Sequence, residues 1–351
     1  MKLLRLLLFP FSILYGFGVI LRNLAYDFGI FKSQKFQLPV ISVGNLSVGG
    51  SGKSPMTEYL VRLLKDKYKI ATLSRGYGRK TSGFLFVDTN SISSDSGDEP
   101  LQFKRKFNDI TVAVCENRLS GITTLEKNHE LIILDDAFQH RAVKPGLSIL
   151  LFEYNSLFTQ QWLLPTGDLR EPLWAINRAD IVVVTKCPEI MNTGRQNAIL
   201  SRFKTKKVFF SFLNYGNLKP FNENTPERSL NSINQKSKVI LLTGIANASP
   251  LLEKLASFGP ELIHHQYPDH HLFSGKNITK LVNAFNELSG VDNLIITTEK
   301  DAQRLRIGGI REQLTDLALY YLPVEAEFKE AEKAGFNNLI EEYASKSAGN
   351  D

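Results

Sequence analysis

The chain predicts an α/β fold: a mostly parallel sheet with helices on both faces, joined to a smaller C-terminal α/β unit and preceded by an apolar N-terminal helix. Three observations predict it. Short, nearly continuous apolar runs recur between segments of helical length, as buried parallel strands require. The first of these runs opens into a glycine-rich loop and a helix. A polar stretch with little periodicity, 214–238, then separates two such series.

Leu6 to Leu21 reads LLLFPFSILYGFGVIL without a charge, flanked by Lys2 and Arg5 before it and Arg22 after it. It falls short of the roughly 20 apolar residues of a spanning helix, and Pro10 interrupts it. No small-x-small cleavage site follows. The basic flanks favour a membrane-associated segment lying in the cytoplasmic interface. A buried core helix is the alternative.

Val40, Ile41 and Val43 form a buried strand that breaks at Gly44 into GGSGKS (Gly49, Gly50, Ser51, Gly52, Lys53, Ser54). Met56, Tyr59, Leu60, Leu63 and Leu64 then recur at helical spacing. Strand, glycine loop, Lys-Ser and helix are the context of a P-loop, so the sheet is of P-loop NTPase type. Glycines free the backbone for conformations in which successive N–H groups converge on phosphate, and the helix N-terminus adds partial positive charge. Lys53 would reach the β/γ-phosphates and Ser54 would ligate Mg²⁺. A nucleotide and Mg²⁺ are therefore the expected ligands.

Ile70 to Leu73 is the next strand, leading into Ser74-Arg75-Gly76-Tyr77-Gly78-Arg79, where open α/β sheets meet ligands. Gly83 to Asp88 alternates like an edge strand. A Ser/Asp-rich loop ends in Asp98-Glu99-Pro100 and a helix through Phe107; acidic residues there also serve as helix-start features. Thr111 to Val114 is a strand with Glu116, Asn117 and Arg118 after it. Glu130 to Asp136 reads ELIILDD, and two carboxylates ending a buried strand resemble a Walker B site for Mg²⁺. Gln139, His140 and Arg141 follow.

Leu147 to Phe152 is a strand, LLPTGDLREP (163–172) a proline-bounded loop, and Ile181 to Val184 a strand closed by Thr185-Lys186-Cys187-Pro188. A guanine site would need Asn-Lys-x-Asp there, so GTP is not supported. Asn192 to Phe203 reads as helix and Val208 to Phe212 as strand. Beyond the polar stretch come strand Val239 to Leu242, helix Ala248 to Phe258, strand Glu261 to Tyr267 and Pro268-Asp269-His270-His271. Helix Asn277 to Leu288, strand Asn293 to Thr298, Glu299-Lys300-Asp301 and a helix follow. Leu317 to Pro323 is the last expected strand, before a polar, frayed tail.

The 351 residues carry a net charge of +6, which suits phosphorylated ligands or a membrane surface. No cluster of Lys/Arg interleaved with aromatics occurs, so nucleic acid is not an expected partner. Cys115 and Cys187 each lie beside an apolar run and read as buried free thiols.

The ordered set SVGNLSVGGSGKSP, LSRGYGR, GDEP, LDDAFQHR, LPTGDLREP, TGIA, YPDHH and TTEKDAQRL resembles the tetraacyldisaccharide 4′-kinases of Gram-negative bacteria over most of the chain. Where that family commonly has glycine after the paired aspartates, this chain has Ala137. The resemblance implies ATP-dependent phosphorylation of the 4′-hydroxyl of a tetraacyl-disaccharide 1-phosphate at the cytoplasmic face of the bacterial inner membrane, by a peripheral or monotopic enzyme. It implies Lys53 and Ser54 on the ATP phosphates and Mg²⁺, Asp98 as base, Glu99 as a supporting carboxylate of the metal site, and Asp135 and Asp136 as the metal pair. Arg118 and Arg170 would be the cationic partners of phosphate, and His270 would couple to Asp98. On this reading 1–35 is the membrane-associated segment, 36–213 the P-loop kinase core, 214–238 a linker and 239–351 the smaller unit.

Phosphoryl transfer needs alignment, charge neutralisation and a carboxylate near the acceptor. An isolated Asp, with a pKa of about 3.9, is a weak base near neutrality, whereas a histidine near 6.5 could share the proton. His271 could fill that place as well as His270. Two rivals remain in view. A P-loop ATPase with a regulatory or binding role needs no lipid acceptor and gives Leu6 to Leu21 no purpose. Asp269-His270-His271 also resembles a phosphoesterase metal triplet, but that chemistry needs several further strand-end aspartates upstream.

Overall fold

The computed structural model describes residues 5–348 apart from 223–224, 291 and 307. Lys2, one of the flanking cations, and the last three residues lie outside the described set. Among the described residues the strands fall into two sheets. The nine-stranded sheet is built from β1 (Val40–Asn45), β2 (Ile70–Ser74), β3 (Leu85–Phe86), β4 (Thr111–Val114), β5 (Leu131–Asp135), β6 (Leu147–Glu153), β7 (Ile181–Thr185), β8 (Lys207–Tyr215) and β14 (Val324–Phe328). The five-stranded sheet holds β9 (Lys219–Pro220), β10 (Lys238–Thr243), β11 (Glu261–Gln266), β12 (Asn293–Thr298) and β13 (Leu319–Leu322).

In the large sheet the order is β14-β8-β7-β6-β1-β5-β2-β4-β3. All neighbours are parallel except the two edge pairs, β14 with β8 and β3 with β4. β1, β5 and β7 are buried along their whole length, as strands covered on both faces must be. β1 sits between β5 and β6, in the middle of the sheet, so the loop after it opens at the carboxyl edge where such sheets bind ligands. The small sheet, ordered β11-β10-β12-β13-β9, is parallel except for β9.

Two stretches differ from expectation. Residues after 323 are not a frayed tail of the second unit: β14 pairs with β8, and helix Glu330–Ala348 packs Phe336, Ile340 and Ala344 into the large sheet's core. Those three side chains recur every four residues and form one apolar stripe. The expected linker also folds, since Leu218, Phe221, Leu230 and Ile233 are buried in the cores of the small sheet.

The N-terminal helix, Phe9–Asp27, is turned the opposite way to a core helix. It buries Ser12, Gly16 and Asn23. Ser12 Oγ donates to Leu163 O at 3.1 Å, Tyr15 Oη to Arg170 O at 2.9 Å, and Asn23 Nδ2 to Glu171 Oε2 at 3.1 Å. Phe11, Ile13, Leu14, Phe17 and Leu21 are left exposed. Among the described residues no helix is long and apolar enough to cross a membrane.

Candidate active site

The glycine loop is shaped by positive φ at Gly49 (+99°) and Gly52 (+84°), conformations that favour glycine. At Gly52 a Cβ would also come within 3.3 Å of the Thr185 side chain. Gly52 caps helix Lys53–Leu64 without any side-chain bond, so the first N–H groups of the helix remain available to an anion. Thr185 Oγ1 donates to Ser51 O at 2.8 Å and holds the loop to the end of β7. Ser51 Oγ is buried, with no partner among the described residues.

Around the loop lies a cleft of about 880 Å³ whose walls come from both sheets. Lys53 Nζ stands 3.2 Å from Asn45 Oδ1 and 3.8 Å from Asp136 Oδ1. Arg170 Nη2 lies 2.8 Å from Asp136 Oδ1 and also bonds Asn45 Oδ1. Its loop is stitched to the P-loop strand by Arg170 N to Leu46 O and Val48 N to Asp168 O. Burial would push the Asp136 carboxyl up, but Lys53 and Arg170 outweigh it and hold it below the usual range. Asp136 itself has a φ of +49°. Asp135 is buried and accepts from Thr57 Oγ1 at 3.1 Å. Burial first, then Glu99 and Asp136, push its carboxyl up to about 7.

Glu99 accepts from Ser54 Oγ at 2.8 Å and is paired with Lys300 of the small unit. Burial raises the Glu99 carboxyl, but Lys300 and Lys53 overcome this and hold it well below its ordinary value. Arg118 is buried, donating to Cys115 O at 3.0 Å and Glu116 O at 3.3 Å, and its Nε has no partner among the described residues. Burial lowers its pKa to about 10 against the pull of Asp136 and Asp135, so it remains a cation at neutral pH.

Asp98 opens helix Asp98–Lys106, and its Oδ2 lies 3.3 Å from His270 Nδ1. Burial raises its carboxyl, but His270 and Arg304 beside it prevail and lower it. His271 faces elsewhere: its Nε2 lies 3.0 Å from Asn277 Oδ1 and its ring stacks on Tyr267 at 4.6 Å.

The expected residues Gly49, Gly50, Ser51, Gly52, Lys53, Ser54, Asp98, Glu99, Arg118, Asp135, Asp136, Arg170 and His270 thus all line one cleft. Sequence reasoning passed over Asn45, Lys300 and Arg304. Asn45 ends the strand before the loop. Lys300 and Arg304 are one turn apart on helix Glu299–Leu305, and only their spacing within TTEKDAQRL marked them.

The donors about Ser54 fit Mg²⁺. They are all oxygens, and Asp135, lifted first by burial and then by the charges of Glu99 and Asp136, stands where a divalent cation would relieve that carboxylate charge. Among the described residues no three His, Cys, Asp or Glu groups converge closely enough to hold a metal alone. Mg²⁺ normally keeps waters and takes substrate phosphate oxygens, so one or two carboxylates suffice.

A central P-loop, carboxylates and cations facing one cleft define a P-loop phosphotransferase. The sequence model of the family described as tetraacyldisaccharide-1-P 4′-kinase matches residues 4–344, and the chain belongs to that family. It is 44% identical over 345 residues to the tetraacyldisaccharide 4′-kinase of Parabacteroides distasonis, covering 95% of this chain and 93% of the relative. The Flavobacterium psychrophilum enzyme of the same name is 46% identical over 358 residues, with all of both chains covered. The crystal structure of LpxK from Aquifex aeolicus in complex with ATP superposes with a TM-score of 0.73 at 32% identity, covering 97% of this chain and 99% of that one.

Proposed function

We propose that the chain transfers the γ-phosphoryl group of ATP to the 4′-hydroxyl of a tetraacyl-disaccharide 1-phosphate, a step in making the lipid A of lipopolysaccharide. One observation carries this reading. The residues of the glycine loop and the Asp98–His270 pair line the same cleft.

The loop amides and the uncapped helix end bind the phosphates, with Lys53 beside them. Mg²⁺ would be held by Ser54, Asp135 and Asp136 with Glu99 beside Ser54, and supplies charge neutralisation when bound. Arg170 and Arg118 add cations to the lining of the cleft. Asp98 takes the hydroxyl proton as the acceptor oxygen bonds to phosphorus and the bond to ADP breaks, and His270 stands next to it as a second proton acceptor.

The N-terminal helix would lie in the cytoplasmic surface of the bacterial inner membrane. Its polar face is tied to the protein and its apolar face is free, the reverse of a core helix. A chain so anchored meets a lipid substrate without extracting it from the bilayer.

The test is an assay of purified protein with Mg-ATP and disaccharide lipid 1-phosphate. A bisphosphorylated lipid, absent with Lys53→Ala, supports the reading. ATP hydrolysis with no lipid product defeats it.

A further inference from the structure

Asp98 is held by a single oxygen. Arg304 Nε and Nη2 lie 2.8 and 2.7 Å from Oδ2, and His270 Nδ1 lies 3.3 Å from the same atom. Arg304 Nη1 donates to Asp301 Oδ1 at 2.7 Å and to Gly244 O at 2.8 Å, while Nη2 lies 3.2 Å from His270 Nδ1. A guanidinium has five N–H donors and no acceptor. Four of these reach Asp98 Oδ2, Asp301 Oδ1, Gly244 O and His270 Nδ1, and the side chain is fully buried. Among the described residues Asp98 Oδ1 has no partner.

The donors decide where the imidazole proton sits. An Arg304 N–H can reach Nδ1 only if that nitrogen offers a lone pair. A bond from Nδ1 to Asp98 Oδ2 would instead need a proton on Nδ1. Oδ2 already receives the Nε–H of Arg304 and has the charge of Nη2 2.7 Å away, and imidazolium beside guanidinium would set like charges together. The lone pair therefore belongs on Nδ1 and the proton on Nε2, 3.9 Å from Asp269 Oδ2.

The backbone of His270 is tied to the same frame. His270 N donates to Gly244 O at 3.0 Å, and Asp301 Oδ2 accepts from Gly244 N at 3.0 Å and Thr298 Oγ1 at 2.7 Å. The φ of +58° at His270 is thereby held by the groups that bind Arg304.

We propose that Arg304 is the positioning residue of the acceptor side. It grips Asp98 by Oδ2 so that Oδ1 faces the acceptor hydroxyl, and it holds His270 as the tautomer with its lone pair on Nδ1. The identity of the acceptor rests on the phosphotransferase reading above; the tautomer does not.

Two arms test this. In ligand-free protein labelled with ¹⁵N-histidine at neutral pH, the His270 signals, assigned by their loss in His270→Gln, show Nδ1 unprotonated and Nε2 protonated. In Arg304→Lys, which keeps the charge and loses the fork, the balance moves toward Nδ1–H. Turnover by Arg304→Lys falls about 10²-fold in kcat, the scale of a small misplacement at a reacting centre, while KM for Mg-ATP stays within about twofold because the glycine loop is untouched. A merely structural role would lower the active fraction and leave the tautomer as it was, which overturns the proposal. So does a protonated Nδ1 in the wild type, or wild-type kcat in Arg304→Lys. Should that variant not fold, the wild-type spectrum alone decides. A correct tautomer in a protein with no kinase activity would sink the proposed function and leave this assignment standing.

Discussion

Replacing Phe11, Leu14 and Phe17 together by serine should detach the protein from lipid without harming its fold. These side chains are 60%, 69% and 61% exposed, so they contribute little to the core. Fully burying one such side chain is worth about 1.5–3 kcal/mol. About two-thirds of each remains to be buried in a bilayer surface, which gives roughly 1–2 kcal/mol apiece and about 3–6 kcal/mol for the three. At about 1.4 kcal/mol per factor of ten, vesicle affinity should drop by about 10²-fold or more. Co-sedimentation with anionic vesicles measures this, and thermal unfolding in buffer measures the fold. Unchanged partitioning, or a loss of stability typical of a core deletion, would refute the reasoning.

Asp98→Asn and His270→Ala should each cost about 10²–10⁴-fold in kcat, and the double variant should be no worse than the worse single, because groups acting as one unit are not additive; steady-state kinetics on the lipid substrate checks it. Thr185→Val removes the buried bond to Ser51 O and should raise KM for ATP about tenfold, the worth of one such bond, with kcat nearly unchanged. Glu58 is buried beside Lys106 and Glu299, and burial first pushes its carboxyl from 4.5 up to about 7. The native state therefore binds a proton at Glu58 that the unfolded chain has released, so the contribution of this group is full below about pH 4.5 and is lost as pH rises toward 7. Melting curves across that window should fall for the wild type and flatten for Glu58→Gln.

The glycine loop and its strand were legible because they are local: glycines, an apolar run and a helical stripe lie within consecutive residues. The Asp135–Asp136 pair was legible for the same reason. Asp98 and His270 could be joined only through the resemblance, since nothing in composition ties residues so far apart in the chain. Lys300 and Arg304 escaped notice because a charged residue on a helix usually faces water. Their value appears only when the fold brings them against Glu99 and Asp98. The C-terminal helix was misread for a different reason: Phe336, Ile340 and Ala344 were in the sequence at helical spacing, but the charged residues around them masked the stripe. At the N-terminus the apolar run was evident, while the direction of its polar face depended on Leu163, Arg170 and Glu171, residues supplied by a distant loop.

Direct transfer between a nucleotide in the glycine loop and a hydroxyl beside Asp98 is most directly tested by stereochemistry. With ATP made chiral at the γ-phosphorus by oxygen isotopes, a single in-line displacement predicts a lipid 4′-phosphate of inverted configuration. Retention would mean a phosphorylated enzyme intermediate and would contradict the account.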